Sequence, residues 1–179
     1  GYDDDGVTCQ QWDIVRNGIF VGYCTNREVA PKIGETRSRG SNRADSWGTV
    51  PIVRIANIGL EPGSATLDEL LADVTRGIYI EGHGSYSIDQ RRYNFQFGGD
   101  AFWLIENGKR THMVRDVIYH GITPEFWGSC DGVADRSHRR RYGFITCGKG
   151  QPAQSGWMTH AASHARFRKV NVIGGQAGS

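Results

Sequence analysis

Two Asn-Gly pairs, Asn17-Gly18 and Asn107-Gly108, each lie between short runs rich in apolar residues. Asn-Gly accepts the positive φ angles of a two-residue hairpin turn, so each pair predicts two antiparallel strands joined end to end. The first hairpin is expected from residues 9–16 and 19–24, the second from 101–105 and 112–119. Glycine is abundant, 25 of 179 residues, which adds tight turns and points the same way, to a strand-rich chain.

The remaining pattern supplies short helices and further strands. Thr66 with Glu69 three residues on forms a capping box. Leu67, Leu70, Leu71 and Val74 then give a helical stripe, with Gly77 as its expected stop. Asn26 is expected to cap a short helix running to Lys32 and ended by Gly34. The β-branched run 49–60 reads as a buried strand, followed by a turn at Glu61-Pro62-Gly63. Strands are also expected at 78–81, 93–97 and 165–173, and a short helix or turn at 123–130. Residues 35–46 and 82–87 read as loops, and 131–150 show little pattern. The fold class is therefore α+β: one β-dominated domain over residues 1–179, with two or three short helices packed on antiparallel strands.

Composition narrows the setting. With 38% hydrophobic and 22% charged residues the chain can build a core. No window approaches the 18 or so apolar residues of a membrane span. The acidic start, Gly1-Tyr2-Asp3-Asp4-Asp5, is no signal peptide. With no initiator Met and a hairpin almost at once, it reads as an interior stretch of a longer protein. The four cysteines, Cys9, Cys24, Cys130 and Cys147, show no CxxC spacing. Without a secretion signal they are expected as free thiols or a lone ligand in a cytoplasmic protein.

Three blocks carry chemistry. In the first, Asn42 and Arg43 in a glycine-flanked loop precede Pro51, Arg54 and Asn57, then Pro62-Gly63 and the Thr66 helix. The second is YNFQFGGDAFWLIENGK, and the third is FITCGKGQPAQ around Cys147. In this order and spacing they resemble the TldD/PmbA family over nearly the whole chain. The third block lacks one residue found in some members, and residues 127–145 match poorly. The resemblance implies the C-terminal part of a zinc metallopeptidase acting on unfolded peptides. Its metal would be held by two histidines of a His-Glu-x-x-x-His helix and by a cysteine matching Cys147. Two imidazoles, a thiolate and an open water position suit a catalytic zinc, with the helix Glu as general base. No His-Glu-x-x-x-His occurs in this sequence, so the chain alone is expected to be inactive.

Judged alone, Cys147 reads as a small buried hydrophobe. Gly148, Lys149, Gly150 and the resemblance turn that reading toward a ligand, with Lys149 lending positive charge. Cys9, Cys24 and Cys130 keep the packing role. Arg54 and Asn57 read either as polar residues on the outward face of a strand or as support for a substrate channel. Asn42 and Arg43 read either as turn residues or as channel residues. The peptide itself is expected to pair its backbone with a strand edge. His160 and His164 are four apart in MTHAASHA. On a helix they would share a face and complete a local Cys-His-His set. The resemblance instead places them by the last strand, with His160 as a group near the metal or polarising substrate.

Two rival readings remain at this stage. One is a non-catalytic partner subunit in a heterodimer of two family members, where the catalytic branch would be a homodimer or the other half of such a pair. The other is a gyrase- or DNA-associated regulator, from the run Arg139-Arg140-Arg141. A net charge of +2 argues against that one.

Overall fold

The computed structural model describes residues 1–174, 176 and 177. They fall into two compact units. The first is Gly1–Leu60 with Arg140–Ala162; the second is Glu61–Arg139 with the segment from Ser163 onward.

In the first unit the Asn17-Gly18 turn forms as expected, with φ of 51° and 77°. It joins Val15–Arg16 to Ile19–Phe20. The strands are shorter than their apolar runs, because backbone groups farther out bond elsewhere: Cys9 N–H donates to Gly1 and Gln10 N–H to Arg39. The Asn26 side chain accepts from the Val29 N–H at 2.8 Å. The turn of 3-10 helix that follows, Ala30–Ile33, ends at Gly34 with φ 78°. The expected loop 35–46 holds a short strand, Asn42–Arg43, which pairs with Ile52–Val53. Those two residues are all that becomes regular strand within 49–60 before an isolated bridge at Gly59.

The largest departure is a long hairpin, Arg140–Lys149 against Gln154–Ala162. It occupies much of the stretch that showed little pattern. Its first strand carries Gly143, Gly148 and a basic run, so no apolar alternation marks it. Pairing with the second strand makes it a strand, not propensity.

The second unit holds two four-stranded antiparallel sheets. One orders Gln176–Ala177, Lys109–Arg115, Ala101–Glu106 and Arg76–Glu81; the other orders Asn171–Ile173, Ile118–Ile122, Asn94–Phe97 and Tyr86–Ile88. Cys130–Val133 pairs with Ala165–Phe167. The Asn107-Gly108 turn has φ of 48° and 80°. The Thr66 capping box is complete, but the helix Leu67–Ala72 closes at Asp73, ahead of Gly77. A second helix, Thr123–Gly128, lies within the predicted 123–130. Two expected single strands are each split. Residues 112–119 break at Asp116, φ 57°, and 165–173 break near Lys169, φ 54°. A left-handed residue turns the chain, so each half joins a different sheet. Phe102, Val114 and Val117 form the buried apolar cluster, with Ile78, Ile80 and Leu104 against it. Antiparallel strands thus dominate, with two short α-helices.

Candidate functional site

Cys147 lies on the first strand of the long hairpin, half-buried, as a free thiol. The ladder slips between Phe144 and Cys147, a bulge after which Cys147 faces Gly156, Gly148 faces Ser155 and Lys149 faces Gln154. Bulges re-aim side chains and interrupt pairing, a common device beside functional groups.

Most of the other candidates bind the hairpin to segment 43–58, which runs beside it in the same unit. Arg43 Nη1 donates to the Trp157 carbonyl at 2.6 Å, and Lys149 Nζ to the Val53 carbonyl at 2.6 Å. An Arg54 terminal nitrogen donates to the Cys147 carbonyl at 2.5 Å. Asn57 Oδ1 accepts from the Thr159 N–H at 2.8 Å. His160 Nδ1 stands 3.3 Å from the Ile58 nitrogen and 3.2 Å from its carbonyl oxygen. Gln154 and Asp45 add further ties, to the Val50 carbonyl and the Ser155 N–H. Side chains reaching backbone groups of the neighbouring segment hold the two together where no regular ladder does.

Burial separates these residues. Arg54 is 3% exposed, against the outward reading of that position, whereas Asn57 and Arg43 are exposed. Asn42, also 3% exposed, is a buried junction. Its N–H donates to Asp3 Oδ2 at 3.0 Å, its carbonyl accepts from the Asp4 N–H, and its Oδ1 accepts from Asn26 Nδ2 at 3.2 Å. The unit's interior here is polar: Asp3, Thr25, Ser38 and Ser41 are buried with it.

His160 lies in the strand Gln154–Ala162 and His164 just beyond it, so no helix presents the two together. His160 lies four positions along the strand from Gly156, the partner of Cys147, about 13 Å at some 3.3 Å per residue. One zinc ion with bonds of about 2.0–2.3 Å does not span that gap. Among the described residues no three His, Cys, Asp or Glu side chains cluster as a metal site. The Cys147 thiol is partly exposed and its backbone is anchored through its carbonyl, so its sulfur is accessible as a single donor.

Sequence reading missed Asp3, which bonds the N–H groups of Asp5 and Val7 as well as that of Asn42. It also missed Gly156. A glycine inside a strand was the available signal, since it marks close approach of another group.

Comparison with known proteins adds the family context. Residues 1–174 match the model of the PmbA/TldA metallopeptidase C-terminal domain. A metalloprotease of Methanothermobacter thermautotrophicus is 33% identical over 173 residues, covering 97% of this chain and 37% of the relative. A zinc metalloprotease TldD homolog of Saccharolobus solfataricus is 26% identical over 174 residues, again 97% of this chain and 38% of the relative. The chain thus spans little more than a third of these relatives' length. In fold it is similar to the crystal structure of TldE from Thermococcus kodakarensis, with a TM-score of 0.73 at 20% identity, covering 97% of this chain and 36% of that one.

Proposed function

The chain belongs to the PmbA/TldA metallopeptidase family, whose C-terminal domain it matches, and from that membership we propose that it is the C-terminal part of a zinc metallopeptidase acting on unfolded peptides. Cys147 is the sulfur ligand. The two histidines and the general-base Glu come from a His-Glu-x-x-x-His helix outside this sequence. The observation that carries the reading is the half-buried Cys147 thiol at a bulge, with its own carbonyl and the next cationic side chain both tied down. When bound, zinc supplies an acidified water and polarises the scissile carbonyl.

The chain's own residues then have definite tasks. Lys149 and Arg54 hold the ligand strand against segment 53–54. Asn57 and His160 hold its partner strand. Arg43 fixes the Trp157 carbonyl, and Asn42 keeps the base of that segment in place. Past the bulge, residues 147–149 are laddered on one side only among the described residues. That outward edge is where an extended peptide adds by backbone hydrogen bonds. Exposed Ile145 and Trp157 offer apolar contact on the same hairpin. The working protein is cytoplasmic and pairs with a second family subunit, identical or related. Cys147 favours the catalytic branch over the non-catalytic partner role.

Metal analysis tests the assignment. The longer protein is expected to hold one zinc per chain, and Cys147→Ala is expected to lose both zinc and peptide cleavage while staying folded. Full zinc occupancy in that variant overturns the ligand role. The 179-residue chain alone is expected to cleave nothing, and zinc-dependent cleavage by it would contradict the split of ligands.

A further inference from the structure

Arg54 is a buried guanidinium, 3% exposed, with no salt-bridge partner among the described residues. Its Nε is shielded from solvent and has no hydrogen-bond partner. Burying such a charge is costly, so its place needs a reason. One terminal nitrogen bonds the Cys147 carbonyl at 2.5 Å. Across the ladder, a Cβ added at Gly156 would stand 2.7 Å from that nitrogen, 2.9 Å from Nε and 3.1 Å from Cζ. Gly156 is the ladder partner of Cys147, and directly opposed residues of an antiparallel pair share a face. The guanidinium therefore occupies the space that a side chain opposite Cys147 would fill, on the face that Cys147 itself presents.

We infer that Arg54 is a positioning residue for Cys147, and that Gly156 is the residue that makes room for it. The fork replaces the cross-strand side chain, bonds the ligand residue's carbonyl just past the bulge, and sets where the thiol stands. This rests on Cys147 being the functional group of the strand, but its test does not need metal. Lysine lacks the planar fork and places one nitrogen as a point charge. Alanine at 156 would push the fork off the carbonyl.

The test is site-resolved alkylation of the folded 179-residue chain at one fixed pH, read by mass spectrometry. Cys24 and Cys130, also half-buried, serve as internal controls. Arg54→Met and Gly156→Ala are each expected to change the Cys147 rate about tenfold, a shift of roughly 1.4 kcal/mol in protection, with Cys24 and Cys130 unchanged. Arg54→Lys is expected to restore part of the wild-type rate. Gly156→Ala added to Arg54→Met is expected to add nothing at Cys147, because the fork that it would push off the carbonyl is then already gone. An unchanged Cys147 rate in folded Arg54→Met overturns the inference. So does an equal rise at all three cysteines, which would make Arg54 a general stabiliser. Independent effects of the two substitutions overturn the role of Gly156. Zinc content of Cys147→Ala is a separate measurement, so loss of the metal reading and loss of this one are distinguishable.

Discussion

Asn42 illustrates what a single buried amide can do. Its side-chain oxygen takes the Asn26 amide, whose own oxygen takes the Val29 N–H ahead of the 3-10 turn. Its backbone joins the N-terminal turn at Asp3 and Asp4 to the strand carrying Arg43. Asn42→Ala would leave the Asn26 amide without this acceptor in a part-buried setting, a loss of about 1–3 kcal/mol. The expected outcome is a lower urea midpoint with an unchanged slope. A midpoint equal to wild type would show that water replaces the contact. A loop reading of this residue captured its turn chemistry but not its depth, because burial of a polar side chain depends on partners 16 and 39 positions away.

At the scale of elements, the two Asn-Gly hairpins share a backbone and differ in surroundings. Gly18 has φ 77° and open space where a Cβ would go, whereas at Gly108, φ 80°, the Ala72 carbonyl oxygen would be 2.9 Å away. Gly18→Ala then costs the left-handed strain alone, about 1 kcal/mol. Gly108→Ala is expected to cost distinctly more, about 2–3 kcal/mol, since the end of the helix Leu67–Ala72 must also move. Equal losses in chemical denaturation would refute the difference. The turn type was legible in the dipeptide. The neighbour that makes one turn intolerant was not, since Ala72 meets it through the fold.

At the scale of the whole molecule, the two units are held by different means. The second has an apolar cluster, and also a box of four charges. Arg166 bonds both Asp131 and Asp73, and so does Arg168. The hydrogen bond from Arg166, with that from Arg168 next, holds the Asp131 carboxyl down to about 2 from its ordinary 3.8. A depressed carboxyl stabilises the fold above its ordinary range and loses that contribution as pH falls through its folded value. Unfolding should therefore become easier from about pH 4 down to about pH 2. Asp131→Asn should flatten that segment of the urea midpoint against pH while lowering the plateau above it. An unaltered acid limb in the variant would place the sensitivity elsewhere. Pairs this exposed are also screened by salt, so the effect should shrink at high ionic strength.

Local chemistry was readable from the sequence: both hairpin turns, the Thr66 capping box and the Gly34 helix end. These depend on dihedral preferences and hydrogen bonds within a few residues, which composition dictates directly. Tertiary structure alone decided that 140–149 is a strand, that 112–119 and 165–173 each divide between sheets, and that Arg54 turns inward to the Cys147 carbonyl. Such outcomes depend on which distant backbone groups need partners and which spaces a glycine leaves, and no local pattern records either.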